Sequence, residues 1–167
     1  PTVTFSPANE GSGIAVDRNI TITFNEAARK IDDSALTDSN VDALITLKTT
    51  NASGSDISFD ATVNAGKTVI TINPSSDFSS EQVVYVAISA TVEDAKGNAI
   101  TASSATFTVV DVNASSVTFS PVDGAKNVLV TSNVTITFSE AMRKIDDSAL
   151  TDTNVDALIT LKSTNAS

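Results

Sequence analysis

In 167 residues, 10 lysines and arginines stand against 20 aspartates and glutamates, a net charge of −10, and cysteine and histidine are both absent. Such an acidic balance is repelled by phosphate backbones and anionic lipid, which sets the physics against nucleic-acid and membrane-surface partners. Without thiol or imidazole, disulfides, thiolate zinc sites and the usual general base near neutral pH are excluded, leaving carboxylates and lysines for any catalysis.

The charges are scattered, as on a solvated face. No apolar run approaches membrane-spanning length, so membrane insertion is not expected. No signal segment stands at Pro1, and because the chain opens inside a repeat this carries no weight on export. At 41% apolar and 18% charged the composition is that of a folded chain, and abundant Thr, Ser, Val and Ile favour strands over helices.

In chain order, Ile20, Ile22 and Phe24 alternate with Thr21 and Thr23, a period of two that predicts a strand with three apolar side chains on one face. The same period recurs at Ile57-Phe59-Ala61-Val63, Ile70-Ile72, Val84-Val86-Ile88 and Ala105-Phe107-Val109. Turn residues separate the runs at Asn9 to Gly13, Asn64 to Gly66, Asn73 to Ser76 and Ala95 to Asn98. Many short alternating strands and no long amphipathic helix predict an all-β fold, an antiparallel sandwich with one face of each sheet buried. Between Glu26 and Leu44 the spacing of Ile31 with Ala35, and of Val41 with Leu44 and Ile45, predicts one or two short helical turns. Asp32, Asp33, Ser39 and Asn40 are suitable caps, and a strand from Ile45 to Thr49 should follow.

The whole series then returns. Val3-Thr4-Phe5-Ser6-Pro7 recurs at Val117 to Pro121, Asn19 to Phe24 at Asn133 to Phe138, and Arg29 to Asp38 at Arg143 to Asp152. The shift is 114 positions, and 36 of the 53 aligned residues are identical. The reading is an array of one folding unit: residues 1–113 form a complete repeat and 114–167 the first half of a second. The link from Val109 to Val117 is short and contains no proline, so the array should be a semi-rigid rod. The second copy stops at Ser167, which leaves Val134-Ile136-Phe138 and Ile159-Leu161 without an opposite sheet. The simpler expectation is a window on a longer array; the other is a neighbouring chain that supplies strands by complementation and builds a filament.

The order of these motifs resembles the bacterial Ig-like domains found in S-layer proteins. The opening Phe5-Ser6-Pro7 and Ile20-Thr21-Ile22-Thr23-Phe24-Asn25-Glu26-Ala27 carry it, as do Ser120 to Val128 and Ile136 to Met142 in the second copy. The closing half adds Thr71 to Pro74, Tyr85 to Ile88, Val92 to Asn98 and Phe107 to Val109. The resemblance implies Ig-like sandwich repeats in a secreted or cell-surface protein, used as stalk, spacer or lattice element, with self-association between repeats and no catalytic residues. The insert from Ile31 to Leu44 looks longer and more acidic than the family pattern.

Two places could hold a hard cation such as Ca2+. Asp94 and Asn98 would be the ligands in the loop Asp94-Ala95-Lys96-Gly97-Asn98, although a turn with Gly97 at positive φ and Asp94 capping amides explains the same residues. Asp111 and Asn113 lie at the junction of the copies, where a bridging ion helped by Glu26 or Glu140 competes with an ordinary polar link. Asp32, Asp33, Asp38 and Asp42, repeated as Asp146, Asp147, Asp152 and Asp156, have the composition of a glycosidase pair, but helix capping accounts for them and no cleft is marked, so no enzyme is expected. Glycosylation patterns at Asn19, Asn51, Asn113, Asn133 and Asn165 are uninformative in a chain so rich in Ser and Thr. Against the structural reading stand an adhesin that contacts a glycan or protein, which the single Tyr85 and absent Trp disfavour, and an accessory domain of an exported enzyme.

Overall fold

Threonine set between large apolar residues suits a half-buried strand, and in the computed structural model, which describes residues 1–162, the alternating runs become strands. The chain divides into two compact units, 1–113 and 114–167. Unit 1 contains β1 (Val3–Ser6), β2 (Gly11–Ile14), β3 (Ile20–Phe24), β4 (Arg29–Lys30), β5 (Ile45–Thr49), β6 (Phe59–Val63), β7 (Val69–Pro74), β8 (Val83–Ile88), β9 (Val92–Glu93) and β10 (Ser103–Val109).

Two four-stranded sheets form the sandwich, in the orders β1-β3-β7-β6 and β2-β10-β8-β5. Register puts Phe5 opposite Ile22, Ile22 opposite Ile70 and Ile70 opposite Val63, so one row of inward side chains crosses the first sheet. In the second sheet Leu47 faces Val86 and Val86 faces Ala105. These rows meet in a single apolar cluster, where Phe78 lies edge-on to Phe107 at 5.8 Å between ring centres. Ile22, Phe24 and Phe107 are buried and Phe59 packs half-buried at the border of the core. Each fully buried Ile, Val or Phe contributes about 1.5–3 kcal/mol of transfer free energy, so this cluster is the dominant stabilising term.

Two local details differ from the sequence reading, in the stretch Asn9 to Gly13 and at Ile31 to Ala35. The stretch Asn9 to Gly13 is more than a turn: Gly11–Ile14 is a strand that pairs parallel with β10, the one parallel pairing in an otherwise antiparallel unit. Gly11 permits it, since an added Cβ would come within 3.0 Å of the Ala8 carbonyl oxygen. Between Glu26 and Leu44 the expected helical content is present as one 3-10 turn, Asp42–Leu44, with the expected strand Ile45–Thr49 directly after it. Ile31 and Ala35 do not share a helix; Arg29–Lys30 is a two-residue strand on β9, and Ile31 is exposed. The apolar spacing that suggested a helix there is satisfied instead by Leu36 and Val41, both fully buried.

In unit 2, β11 (Val117–Ser120) and β12 (Thr135–Phe138) pair with the register of β1 and β3, Phe119 opposite Ile136 as Phe5 is opposite Ile22. A 3-10 turn at Asp156–Leu158 repeats that at Asp42–Leu44. The outcome for the apolar face is opposite. Phe24 is 2% exposed and Phe138 43%; Leu47 is 2% exposed and Leu161 83%.

Candidate functional site

Asp94 follows β9 in a tight loop built by its own side chain. One carboxylate oxygen accepts the amides of Lys96 at 2.7 Å and Asn98 at 3.0 Å, and the other accepts the Asn98 side-chain N–H at 2.7 Å. Gly97 takes φ +83°, the left-handed conformation that closes the turn. These bonds, the Asn98 side chain first among them, hold the Asp94 carboxyl down at about 2. Asp94 and Asn98 are thus brought together, in the geometry of a turn.

Asp111 and Asn113 are also brought together, beyond the other end of β10. One Asp111 oxygen accepts the Asn113 amide at 2.9 Å and the Ser80 hydroxyl at 2.7 Å. The two pairs do not meet: seven residues of β10, roughly 23 Å of extended chain, lie between them. Glu140 accepts a hydrogen bond from the Ser115 hydroxyl, and Glu26 lies 3.5 Å from the Pro1 amine, each beside the first strand of its own copy. Among the described residues no three carboxylates converge on a point.

The acidic insert does different work from that expected of helix caps. The residue that precedes the 3-10 turn is Val41, and no side chain caps it. Asp38 and Asp42 instead reach across to β6, the outer strand of the first sheet, and accept the amides of Val63 at 2.8 Å and Ala61 at 2.9 Å. Those amides point away from β7 and would otherwise be an open ladder. Asp32 accepts the Ser34 hydroxyl and amide and a Lys30 ammonium hydrogen, which holds its carboxyl well below the usual range. Asp146 makes the same contacts with Ser148 and Lys144 and is lowered too.

Two further features had no signal in the unit 1 sequence. Arg29 on β4 bonds Glu93 on β9 at 3.1 Å, with the Glu93 side chain 8% exposed, and also pairs with Asp33. Ser80 ties the end of β10 to the preceding loop, where nothing in the residue pattern marks it. The recurrence of Arg29 as Arg143 is the only hint the sequence offered of the first.

The concavities are shallow. On the outer face of the second sheet a groove of about 280 Å³ is lined by Thr46, Tyr85, Ala87 and Ser104. In unit 2 the uncovered face forms a groove of about 370 Å³ between Val134, Ile136, Phe138, Leu150, Val155 and Leu158. Neither holds a pair of carboxylates.

No curated protein sequence matches the chain. Among solved structures, CopC from Methylosinus trichosporium OB3b is 13% identical, covering 68% of this chain and 96% of its own, with a TM-score of 0.45. The N-terminal part of the bacterial S-layer protein SbsC is 14% identical over 71% of this chain, with a TM-score of 0.45. Domains 1–6 of SbsC give 15% identity and a TM-score of 0.44. This chain spans 25% and 15% of those two S-layer chains. The sequence profile of the bacterial Ig-like domain matches residues 1–109, which runs from β1 to the end of β10, the whole of the first sandwich. The chain belongs to the bacterial Ig-like domain family.

Proposed function

We propose that this chain is a structural segment of a secreted or cell-surface protein, in which Ig-like sandwiches stacked in tandem act as spacer, stalk or lattice element. The observation that carries this reading is the repeat itself: 36 of 53 positions recur at a spacing of 114, with the same strand register in both copies. The shallow surface grooves and the carboxylates engaged within their own loops support a mechanical over a catalytic role. Surface labelling of intact producing cells tests the location, and negative-stain micrographs test the role. Rods, filaments or sheets are expected; labelling only after lysis, or compact isolated particles from tandem-repeat protein, would overturn it.

Self-association through repeats belongs to the same reading. It is favoured by the exposed face of Val134, Phe138, Ile159 and Leu161, whose equivalents in unit 1 are covered by the segment Phe59 to Val109. A segment of that pattern is the partner the face fits. Sedimentation at rising concentration should show association that Phe138→Asp abolishes.

A further inference from the structure

The joint between the repeats is held from both sides. Beyond β10 the chain does not leave unit 1 at once. The Val109 amide donates to the Gln82 carbonyl at 2.9 Å and the Val110 amide to the Ile14 carbonyl at 2.8 Å. The Ser80 hydroxyl then works twice: it donates to Asp111 at 2.7 Å and accepts the Val112 amide at 2.9 Å. Asp111 in turn accepts the Asn113 amide at 2.9 Å. The loop that presents Ser80 is itself fixed, with the Ser79 amide on the Gln82 side chain at 2.8 Å and Glu81 held at φ +57°. Unit 1 therefore grips its outgoing chain as far as Asn113.

Unit 2 grips its incoming chain in the same manner. The Ser116 amide donates to the Ser139 hydroxyl at 2.9 Å, the Ser139 amide returns to the Ser116 carbonyl at 3.0 Å, and the Ser115 hydroxyl donates to Glu140. The first copy has the same fastening, with the Thr2 amide on the Asn25 side chain at 2.6 Å and the Asn25 amide on the Thr2 carbonyl at 3.3 Å. This grip is thus a property of the repeat.

Ala114 alone remains with no hydrogen bond to any described residue, and Ser115 beside it is tied through its side chain only. We infer that the repeats articulate on this single residue, and that Ser80 and Glu140 are the positioning residues that confine the pivot to it. The consequence for an array is mechanical. Only the dihedral angles about Ala114 and the bonds beside it, each restricted to a few steric basins, are left unfastened, where a free link of seven residues would offer many combinations. The inference deepens the spacer reading and rests on it for its purpose, though not for its geometry.

Backbone ¹⁵N relaxation on the full chain tests it. Order parameters of about 0.85 are expected at Asp111 to Asn113 and at Ser115 and Ser116, with a dip confined to Ala114. Ser80→Ala should drop Val112 and Asn113 below about 0.6 and leave Ser115 and Ser116 unchanged, while Ser80→Thr, which keeps the hydroxyl, restores them. Glu140→Ala should loosen Ser115 and leave Val112 alone. The β8 and β10 amide shifts, read alongside, confirm that unit 1 stays folded. Uniformly low values from Val110 to Ser116 in the native chain, or values at Val112 indifferent to Ser80→Ala, would overturn the inference. Failure of the surface role would appear in the labelling and micrographs and leave these values untouched.

Discussion

The two copies carry nearly one sequence and reach different degrees of burial. What forms in both is local. The β1–β3 and β11–β12 pairs share a register, Asp33 and Asp147 share a left-handed backbone at φ +66° and +62°, and Asp32 and Asp146 close the same turn. What forms in unit 1 alone depends on the second half of the repeat: coverage of Ile20, Phe24 and Leu47, the amides placed on Asp38 and Asp42, and the Arg29–Glu93 pair. The first half thus carries the instructions for its own turns and for the one strand pair it contains, and the second half supplies the strands on which β2, β4 and β5 form and the burial that makes the sandwich stable.

The largest asymmetry should lie in the core. Ile22→Ala is expected to destabilise unit 1 by about 3–5 kcal/mol, against about 0.5 kcal/mol or less for Ile136→Ala, as thermal unfolding followed by residue-resolved NMR would show. Equal losses would mean that unit 2 buries its face in solution.

Arg29→Ala should cost about 1–3 kcal/mol, because it strands the Glu93 carboxylate in a nearly buried position, a penalty moderated by the partial exposure of Arg29. Arg143 lies 3.7 Å from Asp147 with both side chains largely exposed, so Arg143→Ala should change stability by under about 0.5 kcal/mol. Denaturant titration of the two variants checks the contrast.

Replacing Asp38 and Asp42 together by alanine removes the acceptors of two outer-strand amides and should cost about 1–3 kcal/mol. The same change at Asp152 and Asp156 should be neutral. Raised hydrogen exchange at Ala61 and Val63 is the diagnostic, and unchanged exchange there would show that the carboxylates do not seal the strand.

Acid provides a weaker discriminator. The folded Asp94 carboxyl is lowered to about 2 from an ordinary value of 3.8, so its contribution is present above about pH 4 and is lost as pH falls through about 2. Unit 1 should therefore lose melting temperature between pH 4 and 2, and Asp94→Asn should flatten that slope. Calcium in place of chelator is expected to leave the melting temperature unchanged, since amide and hydroxyl donors already engage both oxygens of Asp94 and one of Asp111.

The sheets were legible because Ile20-Thr21-Ile22-Thr23-Phe24 and Ala105-Thr106-Phe107-Thr108-Val109 alternate with period two, and a one-residue slip would turn either row to water. The Asp94 turn was legible too, since Asp, Gly and Asn at those positions have a known local chemistry. The segment from Glu26 to Leu44 was legible only at its end, where Val41, Leu44 and Ile45 mark the 3-10 turn and the strand after it. Its aspartates act over long range, Asp38 on Val63 and Asp42 on Ala61, and residues 19 and 25 positions apart leave no local pattern. Nor was β2 legible: Gly11-Ser12-Gly13-Ile14 has turn composition and becomes a strand only because β10 lies beside it. Ser80 was invisible for the same reason, as one serine among many whose partner is 31 residues away.

Hydrogen–deuterium exchange on the dilute full chain compares the copies most directly. If facing sheets seal the first copy and leave the second uncovered, amides from Ile20 to Phe24 should exchange at least about a thousandfold more slowly than those from Val134 to Phe138, the factor that roughly 4 kcal/mol of additional protection provides. Equal protection of the two strands, at any level, would contradict the account.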